Sequence, residues 1–338
     1  MKIAHARERH APAGAPFRLL AAFDPAGRQW LDLEVARRRA VNADERLAHN
    51  EVLFRQPVTT LDDHLARGLR VAALGLLLDA YKPGTDDDAV LDGADLAFGS
   101  PILRPSSVRD FYAFEKHVST IWTRRGQEIP EAWFRLPIFY FSNVSEVRGP
   151  EDPVWPPSGS QELDYEMEIA ALIDTPARDL PEERGEEAIG GFMIMNDWSA
   201  RDLQRDETAV RLGPAKGKDF ATTFGPWLVT PDELADVRSG KGYDLSCTTD
   251  VNGTTTSRGN LNTIHHSFGA MIERASADVR LVPGDVIGSG TVGGGCLLEV
   301  KDESGLGRYL QPGDRVTMRV DRLGELSAPI IAKPQNTL

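Results

Sequence analysis

The sequence predicts an α+β fold that is mainly β, and three features of its pattern support this class. From Asp110 onward, short apolar runs alternate with turns, and helical patterns are few. Pro283-Gly-Asp285 and Pro312-Gly-Asp314 are strong turn signals between strands. Regular alternation of strand and helix is absent, which argues against a doubly wound parallel sheet. We therefore expect a mixed, mainly antiparallel β domain with a few covering helices.

Residues 1–100 are predicted to form a small N-terminal α/β module, followed by a larger main domain over 101–338. Two strand patterns, Phe17–Phe23 and Trp30–Leu33, flank a turn. Helical patterns follow at Val35–Leu53 and Leu61–Leu78, and the acidic stretch Tyr81–Asp88 is typical of a solvated loop. The proline-containing segment Ser100–Pro105 is the expected linker between the two parts.

Composition excludes several classes of protein. The 338 residues, with 41% hydrophobic and 26% charged side chains, are ordinary for a globular protein with a large core. A net charge of −13 argues against a nucleic-acid partner, because there is no basic surface to contact phosphates. No apolar run approaches the ~20 residues of a membrane span. No secretory signal is visible at the start, so we expect a cytoplasmic protein.

The two cysteines, Cys247 and Cys296, suit a reducing compartment. They are expected to be buried small hydrophobic residues rather than a disulfide or a pair of metal ligands.

The run Leu163–Ile169 alternates apolar and acidic residues, which predicts a strand with one apolar face and one acidic face. Glu166 and Glu168 then point to the same side, about 7 Å apart at roughly 3.3 Å per residue. The apolar continuation Ala170–Ile173 indicates that the strand enters a core. Two buried like charges repel and lose hydration unless a cation lies between them, and a hard divalent metal is the simplest such cation. An exposed strand face with two solvated glutamates is the alternative.

Two glycine-rich strings are rejected as nucleotide sites. Gly288–Gly293 matches a dinucleotide fingerprint, which must open a helix, whereas Cys296–Val300 is predicted to be a strand. Gly213–Lys218 resembles a phosphate-binding loop, but its spacing is one residue short and Asp219 replaces the required hydroxyl residue.

A second pattern combines a buried strand, Phe192–Met195, with an acidic residue, Asp197, at its end. Ser199 is predicted to cap the following helix with Asp202 at the capping-box position. Arg201 and Gln204 are three residues apart and share one helical face.

Four blocks resemble the fumarylacetoacetate hydrolase family. Leu163–Glu168, Met195–Gln204 and Leu212–Thr223 are similar to its signature motifs, and Gly288–Thr291 to its C-terminal motif. The resemblance runs from about residue 100 to the end, in the family's order. It implies a mixed β-roll, a homodimer, and Mg²⁺, Mn²⁺ or Ca²⁺ bound beside a β-dicarbonyl or 2-oxo acid substrate.

The resemblance also assigns roles to residues. It implies metal ligation by Glu166, Glu168, Asp197 and, as a fourth ligand, Asp110. His117 resembles a catalytic base and lies seven residues after Asp110, about two helical turns along one face. Glu299 resembles the glutamate that orients this base. The groups that resemble the family's stabilisers of negative charge are Lys218, Arg201 and Gln204, and the implied substrate contacts are Tyr140, Arg124, Arg125 and Thr291.

The chain departs from fumarylacetoacetases at one substrate contact. Their aromatic residue is replaced within Arg205–Thr208, and one extra residue precedes Leu212. The N-terminal module is also shorter than theirs. We expect a hydrolase that cleaves a carbon–carbon bond next to a ketone in a β-diketo acid. The alternatives are a 2-oxo acid decarboxylase, isomerase or hydratase using the same metal site, and a binding protein with a vestigial site.

Overall fold

The computed structural model describes residues 1–12, 14–83 and 87–335. Its N-terminal part contains five strands: β1 (Lys2–Glu8), β2 (Arg18–Ala22), β3 (Gln29–Asp32), β4 (Val90–Asp92) and β5 (Leu96–Phe98). The helices of this part are α1 (Leu33–Ala43), α2 (Arg46–Asn50), α3 (Val52–Arg55), α4 (Leu61–Ala66) and α5 (Gly75–Ala80), with 3-10 turns at Val71–Leu74 and Gly93–Asp95. The predicted strands around residues 17–33 are therefore confirmed.

The central part carries most of the site. Its strands are β6 (Ser107–Phe111), β7 (Phe139–Ser142), β8 (Val147–Arg148), β9 (Leu163–Asp164), β10 (Met167–Ile173), β11 (Ile189–Asp197), β12 (Ser199–Ala200) and β13 (Thr222–Val229). Its helices are α6 (Glu115–Arg124), α7 (Glu131–Arg135), α8 (Glu182–Gly185) and α9 (Arg201–Ala209), with a 3-10 turn at Glu186–Ala188.

The last part of the chain adds β14 (Arg238–Ser239), β15 (Gly242–Tyr243), β16 (Ser246–Val251), β17 (Thr254–Asn260), β18 (Asp285–Gly288), β19 (Arg315–Val320) and β20 (Gly324–Pro329). The helices here are α10 (Phe268–Ser276) and the single turn α11 (Leu297–Val300), with 3-10 helices at Pro231–Val237 and Leu261–Thr263.

One large sheet organises the molecule. Its strands follow the order β4-β3-β2-β1-β13-β11-β10-β18-β6-β7, with β5 paired to β1 and β8 paired to β13. Pairing is antiparallel except between β18 and β6 and between β13 and β8. A second antiparallel sheet has the order β17-β16-β19-β20. The large mixed sheet, with its covering helices, confirms the predicted fold class.

The N-terminal strands join this sheet directly. In β1, Lys2 pairs with Val229 and Ile3 with Leu228 of β13. One core cluster accordingly contains Ile3 and Leu31 together with Met193 and Val286. The division near residue 100 stays a prediction. Of the predicted loop Tyr81–Asp88, residues 84–86 lie outside the described part, and Asp87 and Asp88 form ion pairs with Arg39.

The alternation in Leu163–Ile169 is confirmed, but the predicted single strand is divided. Tyr165, Met167 and Ile169 enter one core cluster, whereas Glu166 and Glu168 face a pocket on the other side. The division arises because β9 pairs with β12, whereas β10 pairs with β11 and β18 in the large sheet. Glu166 lies between the two strands, and its backbone forms an isolated antiparallel β-bridge with Cys296.

Among the described residues, no helix combines the length and the apolar character needed to cross a membrane.

Candidate active site

Five adjacent strands of the large sheet carry the acidic residues and their neighbours. Asp197 ends β11, Glu168 lies in β10, Asp110 lies in β6, and Tyr140 lies opposite Asp110 in β7. Between β10 and β6 runs β18, where Gly288 faces Asp110. A side chain at Gly288 would collide with the Asp110 carboxylate, so glycine at this position leaves room for that carboxylate beside Glu168. The sheet register therefore brings together acids that are distant in sequence.

Asp110, Glu168 and Asp197, here called the carboxylate cluster, place one oxygen each within 4.8 Å of one another. All three are buried. Burial, and then the neighbouring carboxylates, raise the pKa values of Asp110 and Glu168 well above their ordinary range. Within the described residues, Glu168 Oε2 and Asp197 Oδ1 have no hydrogen-bond partner. Buried, crowded and unpaired oxygens are suitable ligands for a hard divalent cation.

Glu166 differs from these three because two cations hold it. Arg201 Nη2 lies 2.8 Å from its Oε1, and Lys218 contacts its Oε2. Although burial alone would raise it, Arg201 and then Lys218 keep the pKa of Glu166 below its ordinary value. Lys218 also contacts Asp197, so its ammonium group links Glu166 to the carboxylate cluster. The metal-ligand role predicted for Glu166 stays a prediction.

His117 and Glu299 form a buried pair, with His117 Nδ1 2.8 Å from Glu299 Oε2. Glu299 also accepts hydrogen bonds from the Gly294 N–H at 3.0 Å and from the Cys296 thiol at 3.3 Å. Burial would raise the pKa of Glu299, but the hydrogen bond and charge of His117 lower it. Burial raises the pKa of the Cys296 thiol, consistent with its role as a donor. The two residues predicted as base and orienting group are thus in hydrogen-bond contact, and their roles stay a prediction.

A pocket of about 580 Å³ adjoins both groups. Among the predicted residues that line it are His117, Glu166, Glu168, Asp110, Arg201, Gln204, Lys218, Tyr140, Arg124, Arg125 and Thr291. The remaining two predicted residues contact this lining: Asp197 accepts a hydrogen bond from the Tyr140 hydroxyl at 2.6 Å, and Glu299 is paired with His117. The structure therefore brings every predicted site residue to one place.

Contacts define the positions of the remaining predicted residues. Arg201 Nη1 donates to Gln204 Oε1 at 3.1 Å, which confirms their shared helical face. Thr291 Oγ1 donates to Glu168 Oε1 at 3.3 Å. Arg124 donates to the Glu299 carbonyl oxygen at 3.1 Å and so ties α6 to α11. Arg125 follows α6, and its guanidinium group lies over the Trp122 ring.

Comparison with known proteins agrees with this geometry. The family model for the fumarylacetoacetate (FAA) hydrolase C-terminal domain matches residues 106–331. The chain belongs to the fumarylacetoacetate hydrolase family. It is 28% identical over 358 residues to fumarylacetoacetase from Oryza sativa subsp. japonica, a match that covers 85% of this chain and 83% of that one.

Other relatives in the family have different activities in their names. The chain is 31% identical over 188 residues to a 2,4-didehydro-3-deoxy-L-rhamnonate hydrolase from Sphingomonas sp., with 56% of this chain and 62% of the relative covered. It is 32% identical over 195 residues to a mitochondrial oxaloacetate tautomerase from Xenopus laevis, covering 58% of each. The match to each of these two relatives spans less than two thirds of the relative's length.

Solved structures confirm the fold. Fumarylacetoacetate hydrolase from Exiguobacterium antarcticum superposes with a TM-score of 0.68 at 23% identity, covering 98% of this chain and 100% of that one. Maleylpyruvate hydrolase from Sphingobium sp. SYK-6 superposes with a TM-score of 0.65 at 20% identity, with 98% and 100% covered.

Three local predictions in this member of the family are wrong. Asp110 and His117 do not share a helix, because pairing with β18 and β7 makes Ser107–Phe111 a strand and α6 begins only at Glu115. Ser199 does not cap α9, because Ser199 lies in β12, where it pairs with Asp164 of β9, and the helix begins only at Arg201.

The third wrong prediction is the strand at Cys296–Val300. Leu297–Val300 is a single helical turn, because the Asp164 carboxylate accepts the N–H groups of Leu297 and Leu298 at 2.8 and 2.9 Å. The dinucleotide fingerprint still fails, because one turn is too short for the helix that the fingerprint must open. Packing explains the glycine at position 290 instead, since a side chain there would collide with the Phe111 carbonyl oxygen.

Asp164 is a site residue that sequence reasoning missed. Besides the two N–H groups of α11, its Oδ2 accepts Arg201 Nε at 2.8 Å, and the carboxylate is fully buried. It therefore holds both the turn that carries Glu299 and the guanidinium group that pairs with Glu166. A signal was present, because Asp164 alternates with Glu166 and Glu168 in the same acidic run.

Replacing Asp164 should destabilise the protein. Asp164→Ala removes one of the two carboxylates that neutralise the buried Arg201 and leaves Arg201 Nε and two backbone N–H groups without their acceptor, so we expect a loss of about 3–5 kcal/mol in the free energy of unfolding. The matched control is Asp302→Ala, since Asp302 is 68% exposed and forms a surface ion pair with Lys301, and its effect should stay within about 0.5 kcal/mol. Chemical denaturation measures both. Equal midpoints for the two variants would contradict the role given to Asp164.

Proposed function

We propose that this chain is a metal-dependent hydrolase that cleaves the carbon–carbon bond next to a ketone in a β-diketo acid, such as an acylpyruvate. One observation carries the proposal: His117, hydrogen-bonded to Glu299, lines the same pocket as Asp110 and Glu168 of the carboxylate cluster. A histidine oriented by a carboxylate is the usual arrangement of a general base. Hydrolysis needs such a base to activate water, whereas decarboxylation needs chiefly an electron sink.

The metal would be held by Asp110, Glu168 and Asp197, with Glu166 as the further ligand that the family resemblance implies. An all-oxygen set favours Mg²⁺, Mn²⁺ or Ca²⁺ over zinc. When bound, a divalent cation acts as a Lewis acid that polarises the substrate carbonyl.

The remaining steps are assigned to side chains. Because Nδ1 of His117 is hydrogen-bonded to Glu299, Nε2 is the ring nitrogen that remains to take a proton from water. The water oxygen attacks the carbonyl carbon, and the carbon–carbon bond breaks with its electron pair on the departing enolate carbon. Lys218 and Arg201 carry fixed positive charge that opposes the developing negative charge. Protonation of the enolate then yields a ketone and an acid.

Substrate binding follows from the charge of the pocket wall. Arg124 and Arg125 line the pocket at the end of α6, where they suit the carboxylate of a keto acid. Tyr140, Gln204 and Thr291 supply polar contacts nearer the carboxylate cluster. The homodimer implied by the family resemblance is part of this proposal.

A second candidate is a tautomerase or decarboxylase of 2-oxo acids. The observation in its favour is the sequence identity of 32% over 195 residues to an oxaloacetate tautomerase. This percentage is at least as high as that for the other relatives described above, although the match covers less of the chain than the match to fumarylacetoacetase. Decarboxylation would use the carboxylate cluster and Lys218 without the base, whereas tautomerisation also needs a base to move a proton. Hydrolysis and decarboxylation therefore differ in what they require of His117.

Activity should depend on a divalent cation held by the carboxylate cluster. Glu168→Ala should abolish both Mn²⁺ binding, measured by calorimetry, and turnover. The matched control is Glu183→Ala, because Glu183 is an exposed glutamate of α8 outside the pocket. Chelation should remove the activity of the unmodified protein, and added Mg²⁺ or Mn²⁺ should restore it. Full turnover after exhaustive chelation would exclude the metal-dependent mechanism.

His117 should separate hydrolysis from metal–enolate chemistry. His117→Ala should lower carbon–carbon hydrolysis by about 10²–10⁴-fold, the usual cost of a lost general base. Mn²⁺ affinity should change little, because the cluster lies on the strands. Any decarboxylation of oxaloacetate should survive, because it needs chiefly an electron sink. His10→Ala, at an exposed histidine, is the control. An equal loss of all reactions would assign His117 a structural role, and no loss would favour the second candidate.

Fumarylacetoacetate itself should be a poor substrate. Thr208 lies in the pocket wall and offers a small polar side chain where fumarylacetoacetases have an aromatic contact. We expect a higher kcat/KM for another acylpyruvate or 2-oxo acid than for fumarylacetoacetate, measured at saturating Mg²⁺. Thr208→Phe should shift this ratio toward fumarylacetoacetate. A wild-type ratio that already favours fumarylacetoacetate would overturn the expectation.

A further inference from the structure

A second group of potential metal-ligand atoms lies at the same pocket as the carboxylate cluster, with His117 in the pocket lining. His117, Cys296 and Glu299, here called the His-Cys-Glu group, each place one ligand atom within 4.8 Å of the others. Two donors meet at one acceptor: Glu299 Oε2 lies 2.8 Å from His117 Nδ1 and 3.3 Å from Cys296 Sγ. All three residues are buried. The imidazole, the thiol and the carboxylate are therefore joined by hydrogen bonds at one place, where a metal ion could replace the shared protons.

The ligand chemistry of this group differs from that of the carboxylate cluster. The carboxylate cluster offers only oxygen, which suits hard cations. Imidazole nitrogen and thiolate sulfur instead suit zinc and similar softer metals, which also accept a carboxylate oxygen. One thiolate and one carboxylate balance the charge of a divalent ion, so the buried complex carries no net charge. Burying a neutral group of charges avoids most of the penalty of burying an isolated ion.

We propose that the His-Cys-Glu group is a second metal site, selective for Zn²⁺ and chemically similar ions, and that its occupation inhibits the enzyme. Binding releases the Cys296 thiol proton to solvent. The metal takes Nδ1 of His117, so the imidazole proton moves to Nε2, the nitrogen that would otherwise accept a proton from water. The base is then blocked while the carboxylate cluster remains free for Mg²⁺. The inhibition rests on the proposed function, whereas the metal binding does not.

Cys247 provides a matched control. It is also a free, buried cysteine, and its thiol donates to the Leu245 carbonyl oxygen at 3.4 Å. Among the described residues, it belongs to no comparable group of ligand atoms. Burial of a thiol is thus common to both cysteines, and the convergence with histidine and glutamate distinguishes Cys296.

In the first experiment, the protein is stripped of metals, the carboxylate cluster is then saturated with Mg²⁺, and Co²⁺ is added as a spectroscopic probe of the His-Cys-Glu group. A thiolate ligand gives a near-ultraviolet charge-transfer band that oxygen ligands do not give. We expect the band in the unmodified protein and in Cys247→Ser, and its loss in Cys296→Ser. No band in the unmodified protein, or an unchanged band in Cys296→Ser, would overturn the proposal.

The second experiment needs no variant and so does not depend on the folding of Cys296→Ser. X-ray absorption of the unmodified protein loaded with one equivalent of Zn²⁺ should show one sulfur neighbour at ~2.3 Å beside nitrogen and oxygen neighbours. A shell of nitrogen and oxygen alone would refute zinc binding at this site.

The inhibition is tested by turnover at saturating Mg²⁺ with increasing Zn²⁺, each variant being compared with its own zinc-free rate. Cys296→Ser should require at least roughly tenfold more Zn²⁺ for half inhibition, since losing even an outer partner of a metal ligand costs about 10–100-fold in affinity. Equal sensitivity of both proteins would reject the inhibitory role. If the protein has no hydrolase activity, the spectroscopic experiments still decide the metal site, so the two failures are distinguishable.

Discussion

Four carboxylates share one buried space at the end of the large sheet, and the structure must oppose their mutual repulsion. Lys218 and Arg201 supply part of the opposing charge, because they contact Glu166 and Lys218 also reaches Asp197. For Asp110 and Glu168, burial beside like charges outweighs this positive charge and raises their pKa values well above the ordinary range. Since both retained protons and a bound cation would relieve this repulsion, proton and metal compete for the same oxygens.

The same constraint explains the role of Asp164. A guanidinium group as deeply buried as that of Arg201 needs its own counter-charge, and Asp164 provides it at 2.8 Å. The Asp164 carboxylate also accepts two backbone N–H groups of α11, so the position of Glu299 depends on the residue that neutralises Arg201. The Arg201–Glu166 contact and the helical turn that carries Glu299 therefore depend on one carboxylate. A change at that carboxylate would disturb both together.

The sequence predicted those parts of the site that depend on local patterns. The alternation around Glu166 and Glu168 and the strand end at Asp197 are local, and the structure brings their side chains to one pocket or to its lining. Features set by distant contacts were not predictable in the same way. The helical turn at Leu297 depends on a carboxylate 133 residues away, and the strand at Asp110 depends on pairing with β18. Propensity favoured a different structure at both places, and tertiary contacts overrode it.

The elements that carry the acids are held differently from those that form the outer pocket wall. Asp110, Glu168 and Asp197 lie on strands paired on both sides, so their positions are defined by backbone hydrogen bonds of the sheet. Arg124, Arg125 and Thr208 instead lie at exposed ends of α6 and α9. Substitution there alters the pocket wall without disturbing sheet pairing. Exposed helix ends tolerate substitution more readily than paired strands, which gives a physical reason why one family can include hydrolases and a tautomerase.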